Sequence, residues 1–142
     1  MNMNFGRAVI AGLIGTALMT LVGLFAAPIM GLPAMNPAEM LAGAMGGSLI
    51  LGWGGHLMIG VVLALGYAVV GSALPGPGAA RGAIYSFAPF LIAQLVVMPK
   101  MGMPIFSGSA AMAMGSLVGH IVYGAVVGGI YGEATAVRVA TA

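Results

Sequence analysis

The sequence predicts an all-α integral membrane protein: a four-transmembrane-helix bundle made of two tandem two-helix repeats, plus a short interfacial helix near residues 37–45. Three observations predict it. Of 142 residues, 61% are hydrophobic and 4% charged, against about 25% charged residues in a soluble domain. So few charges cannot coat a water-soluble globule. Four apolar stretches, roughly 7–30, 48–72, 80–99 and 110–132, each supply about 20 helical residues, which at about 1.5 Å rise cross a hydrocarbon core of about 30 Å. The second half of the chain also echoes the first.

The first stretch follows Asn4-Phe5-Gly6-Arg7 and ends near Phe25-Ala26-Ala27, a combination that resembles a cleavable signal. Its apolar run is too long for a typical signal core and its pattern recurs later, so a retained helix is expected. Asn36-Pro37-Ala38-Glu39 then reads as a helix start, with Asn as N-cap, Pro at the first helical position and Glu at the third. A single helix from 37 to 72 is too long for one crossing, so a break is expected near Gly46-Gly47. Leu74-Pro75-Gly76-Pro77-Gly78 forms the turn to the third span, which Pro89 should kink. Met98-Pro99-Lys100 through Ser109 leads to the fourth. Arg7, Arg81 and Arg138 fall on one side, Lys100 and Glu39 on the other. The positive-inside rule then sets both termini in the cytoplasm.

The internal repeat divides a single membrane domain, 1–142, into units of about 5–72 and 79–134. A shift of 64 residues lays Gly55-His56 on Gly119-His120, Gly60 on Gly124 and Tyr67 on Tyr131. A shift of 74 lays Arg7 on Arg81, Ile10 on Ile84 and Thr20 on Gln94, and Met30-Gly31-Leu32-Pro33 echoes Met101-Gly102-Met103-Pro104. Glycine-rich membrane sequences match one another easily, but the chain has two histidines and both occupy equivalent places. Each unit crosses twice, so the copies share one orientation about an axis along the membrane normal.

Each histidine has Gly52 or Ser116 four residues before it, Gly60 or Gly124 four after it, and a tyrosine eleven after it, all on one helical stripe. Small residues at this spacing let helix backbones approach closely, which accounts for the glycines. Intramembrane ionisable groups are costly and mark function, which is why the histidines invite a second reading. In an up-down-up-down bundle His56 and His120 face one another across a diagonal of roughly 14 Å, given neighbours about 8–10 Å apart. A slightly expanded bundle then admits a haem b held by two axial imidazoles, with Gly52, Gly60 and Gly124 leaving room for the porphyrin. Thr20 and Gln94 become the expected acceptors for the histidine Nδ1–H, and Lys100, Ser107 or Ser109 the groups that meet propionates. Cross-helix hydrogen bonding by the histidines, a magnesium chlorin and copper stay open beside haem. Nine of the thirteen methionines (Met30, Met35, Met40, Met45, Met98, Met101, Met103, Met112 and Met114) fall near the outer face. Clustered thioethers suit Cu(I), but they are also flexible apolar filler, the preferred reading in the absence of a tight repeated motif.

Other chemistries find no support. The two carboxylates, Glu39 and Glu133, fall near opposite faces, so no paired acid–base centre arises, and no P-loop, zincin motif or nucleophile–base pair is present. Four basic residues make no nucleic-acid patch. With no cysteine, iron–sulfur and thiol chemistry are excluded.

The four-span layout with paired Gly-His…Gly…Tyr elements resembles a family of small uncharacterised bacterial four-helix integral membrane proteins. In ligand logic alone, through His56, His120 and their flanking glycines, it is similar to bis-histidine membrane b-type cytochromes. It has one histidine pair where the larger cytochromes have two, so a transmembrane chain of haems is not implied. The expectation is a non-enzymatic membrane subunit holding one haem b, in electron transfer or an accessory role, embedded in the lipid bilayer with other membrane-protein subunits and no nucleic acid. The alternative is a cofactor-free structural or assembly subunit whose glycine stripes dock onto partner helices.

Overall fold

The computed structural model describes the backbone of residues 3–140 and the side chains of residues 3–132. Among the described residues, four helices are long and apolar enough to cross a membrane: α1 (Phe5–Ile29), α3 (Leu49–Ala73), α4 (Gly78–Lys100) and α5 (Ala110–Ala140), the last being apolar over Ala110–Gly132. The short helix α2 (Pro37–Ala44) precedes α3. The chain is thus a small integral membrane protein of four spans. Glu133 and Arg138 lie outside the residues whose side chains are described.

The predicted punctuation is visible in detail. Asn36 caps α2 by accepting the Ala38 amide at 3.1 Å, and its own amide group donates to Glu39 at 3.0 Å. Asn4 caps α1 through the Arg7 amide. Pro28 and Pro99 lack the N–H that would bond four residues back, and in each helix the turn just before widens to a π-helix, over Val22–Ala26 and Ala93–Val97. Both helices then end alike. The Leu32 amide returns to the Ala27 carbonyl at 2.9 Å and the Met103 amide to Met98 at 3.0 Å, across Gly31 and Gly102, each with φ +77°. That backbone costs an L-residue about 1–2 kcal/mol. Pro89 sits inside α4 without ending it.

Lipid gives helices little hydrophobic reason to associate, so close backbone packing must hold the bundle. α4 and α5 supply it: a Cβ on Gly82 would strike the Gly124 carbonyl, and one on Gly128 the Gly78 carbonyl. The α1–α3 contact repeats the device, because a Cβ on Gly12 would meet the Gly60 carbonyl and one on Gly60 would strike Thr16. Packing therefore equates Gly12 with Gly82 and Thr16 with Ser86. The shift that laid Thr20 on Gln94 is corrected: by the same packing register, the counterpart of Thr20 is Phe90. Arg7 ties α1 to α5 by donating from Nε to the Ile130 carbonyl. The equivalent Tyr67 and Tyr131 meet edge to face at 6.1 Å, near the axis that relates the two units.

The two halves differ at one interface. α1 packs closely along α5, with Gly15 against the ring of Tyr123. The corresponding pair, α3 and α4, touches sparsely. Where α1 has Gly15, the same register gives α4 Tyr85, whose hydroxyl donates to the Leu63 carbonyl at 2.9 Å and whose ring stands against Tyr67 at 5.5 Å. A phenol in place of a hydrogen atom props the helices apart, and toward the Lys100 end of α4 they enclose a cavity instead of a seam.

Candidate functional site

The cavity holds about 210 Å³. Ile59 and Leu63 of α3 face Pro89, Ile92, Ala93 and Val97 of α4 across it, and α1 and α5 supply Thr16, Met19, Gly115 and Gly119. The segment before α2 and α2 itself close one end with Met35, Pro37, Met40 and Leu41. α2 is held there because Gly52 lets its backbone approach: a Cβ on Gly52 would overlap the Ala38 carbonyl. Ile59 and Ile92 are exposed on the outer surface as well as lining the space, so the cavity opens sideways between α3 and α4, toward acyl chains.

Both histidines line this one cavity, but their surroundings differ. Thr20 donates its single hydroxyl hydrogen to the Thr16 carbonyl at 2.8 Å. The 3.0 Å contact between Thr20 Oγ1 and His56 Nε2 is therefore one in which the imidazole N–H donates. The expected partnership of Thr20 with a histidine Nδ1–H is corrected: Thr20 takes the other nitrogen. On α5, His120 Nδ1 lies 2.8 Å from the Ser116 carbonyl. A carbonyl only accepts, so Nδ1 carries the hydrogen and Nε2 holds a bare lone pair. Among the described residues the hydrogen bonds of His120 are those of Nδ1, and none reaches Nε2. The equivalence of Thr20 with Phe90 supplies the reason, since where His56 meets a hydroxyl, His120 meets a phenyl ring, the two rings steeply inclined with centroids 5.7 Å apart.

Gln94, 1% exposed, reaches His120 through an intermediary. Its amide donates to Ser116 Oγ at 2.9 Å, and Ser116 Oγ lies 3.4 Å from His120 Nδ1. Ser107 donates to the Gln94 carbonyl oxygen at 3.2 Å from a loop where Phe106 and Ser107 take left-handed backbones, φ 52° and 57°. The loop between α4 and α5 is thereby tied to the histidine. Lys100 is exposed at the end of α4 and does not line the cavity. Gly60 lines it, while Gly52 and Gly124 are filled by the backbones of α2 and α4 and leave no room there for a macrocycle. Gly124 and Gly128 face Gly78 and Gly82 inside the chain, so that stripe offers no docking face to a partner helix.

Five methionines, Met19, Met35, Met40, Met98 and Met101, contribute to the lining. Sequence position placed four of them near one face but gave no sign that they surround the histidines. Ser116 stood in the sequence as a small residue; its place one turn before a histidine was the available signal for its bonding role. Among the described residues no group of three or more His, Cys, Asp or Glu side chains could hold a metal ion. A protein-family model described as a family of unknown function matches residues 3–141. No curated protein and no solved structure matches the chain.

Proposed function

This chain belongs to the family of unknown function DUF6789, and on that premise we propose that it is a non-enzymatic, ligand-holding subunit of a larger membrane complex. It lies in a bacterial inner membrane with both termini in the cytoplasm. The observation that supports this reading is the laterally open cavity between α3 and α4 with the unpartnered Nε2 of His120 at its wall. A small, mostly apolar pocket with one or two convergent polar groups is the usual form of a small-molecule site. A bare imidazole nitrogen in an apolar wall is costly unless a ligand meets it. Arg7 and Arg81 at one end of the bundle, with Glu39 and Lys100 at the other, support the orientation.

Ala93→Phe tests the proposal, because it fills the cavity without removing a polar group. Purified wild-type protein should release a lipophilic small molecule into organic solvent at near-stoichiometric yield, read by mass spectrometry. Ala93→Phe should release little of it while keeping the same helical circular dichroism. Equal recovery from both proteins would refute the site.

A second reading is a haem b with His56 and His120 as axial ligands. Convergence of both imidazoles on one cavity favours it, and His120 Nε2 is already in the ligating tautomer. His56 would have to leave Thr20, and the cavity would have to widen around the ring. A pyridine haemochrome spectrum, lost in His56→Ala, supports this reading; its absence from wild-type protein removes it.

A further inference from the structure

We infer that the α3–α4 cavity takes the ring of a membrane quinol, the hydroxyl-bearing reduced form of an isoprenoid quinone, with His120 Nε2 accepting a hydrogen bond from one ring hydroxyl. The inference rests on the ligand-holding reading above and names its ligand. Size sets the first limit. A cavity of about 150 Å³ accepts a benzene ring, so about 210 Å³ accommodates one heavily substituted ring or a fused pair. The sideways opening past Ile59 and Ile92 lets an isoprenoid tail run out among acyl chains while the ring stays inside. Thioethers pack favourably against aromatic rings, which gives Met19, Met35 and Met98 a common task.

Hydrogen-bond inventory sets the second limit. The lone hydroxyl hydrogens of Thr16 and Tyr123 are committed to the carbonyls of Gly12 and Gly60. One Gln94 amide hydrogen goes to Ser116, leaving its second and the Ser116 hydroxyl hydrogen as the remaining side-chain donors of the lining. His120, 9% exposed, presents an acceptor. A quinone carbonyl set against that nitrogen opposes two lone pairs, whereas a quinol hydroxyl satisfies it and still accepts through its oxygen. The site therefore discriminates by protonation of the ligand oxygen, and the reduced ring is the form it holds. A metal cation in the same place would bring an uncompensated charge into a lining without a carboxylate, so a neutral donor is the better match.

The test compares three ligands of one shape on intact protein in lipid nanodiscs, with empty nanodiscs as reference: menadiol, menadione and menadiol dimethyl ether. Menadiol, kept reduced under argon, should bind about tenfold more tightly than either of the others, the value of one good hydrogen bond. His120→Phe preserves a ring beside Phe90 but has no lone pair, and should bind all three alike. Because the comparison on wild-type protein needs no substitution, a folding defect in the variant cannot decide the matter. Equal binding of all three to wild type, abolished by Ala93→Phe, overturns the quinol assignment and leaves the cavity as a site for another lipophile. Failure of all three to bind either protein overturns the quinol assignment and leaves the cavity reading to the extraction experiment.

Discussion

Gly82→Leu is expected to prevent assembly of the bundle. The atoms a side chain would strike are the Gly124 carbonyl and the Gly128 nitrogen, both backbone atoms of a helix that has no lateral freedom. Overpacking a soluble core costs about 1–3 kcal/mol when side chains can shift. Here α4 and α5 must separate along the seam that holds the second hairpin, so the loss should reach about 3 kcal/mol or more. Thermal unfolding in detergent should show either a large drop in midpoint or no cooperative transition. Gly54→Leu provides the comparison, since nothing lies within 4 Å of a Cβ there, and it should unfold like the wild type. If both variants are equally stable, close glycine packing is not what holds the bundle.

Tyr85→Ala should close the cavity although Tyr85 is not itself one of the residues that line it. Tyr85 stands outside the lining and keeps α3 off α4 through its contact with Tyr67 and its bond to Leu63. Without the phenol, α3 and α4 are expected to approach the interaxial distance of about 8–10 Å typical of packed neighbours, as α1 and α5 do around Gly15. Spin labels on the exposed Met58 and Leu91 should report a shorter distance by pulsed electron resonance, and extraction should recover little ligand. An unchanged distance would mean that another contact sets the separation of α3 and α4.

Much of the fold is legible because it follows from length, polarity and backbone rules. Four runs long enough to span, Asn36 before Pro37, and the Gly46-Gly47 break each translate directly into an element or its end. The histidine pair is legible too, since duplication forces equivalent residues toward one axis. What a symmetric reading misses is the asymmetry. It treats the two histidines as alike, whereas the divergence of Thr20 and Phe90 at one packing position gives one imidazole a hydroxyl and leaves the other open. It also assigns Gly52 and Gly124 to a porphyrin, whereas in a membrane a glycine is first a place where backbones meet. Gly15 and Tyr85 carry the largest consequence of all. They lie in different hairpins, and nothing in either sequence context says that the phenol will hold a cleft open.

His120 should offer a bare Nε2 to a ligand arriving from the bilayer, and imidazole nitrogen NMR reads the protonation of that nitrogen itself. In protein labelled with ¹⁵N at histidine and stripped of bound lipophiles, two-bond nitrogen–proton correlations should show His120 protonated at Nδ1 alone, with its Nε2 resonance moving when menadiol is added and staying in place with the dimethyl ether. A proton on Nε2 of His120 in the stripped protein, or an Nε2 resonance indifferent to menadiol, would rule out that nitrogen as the ligand's acceptor.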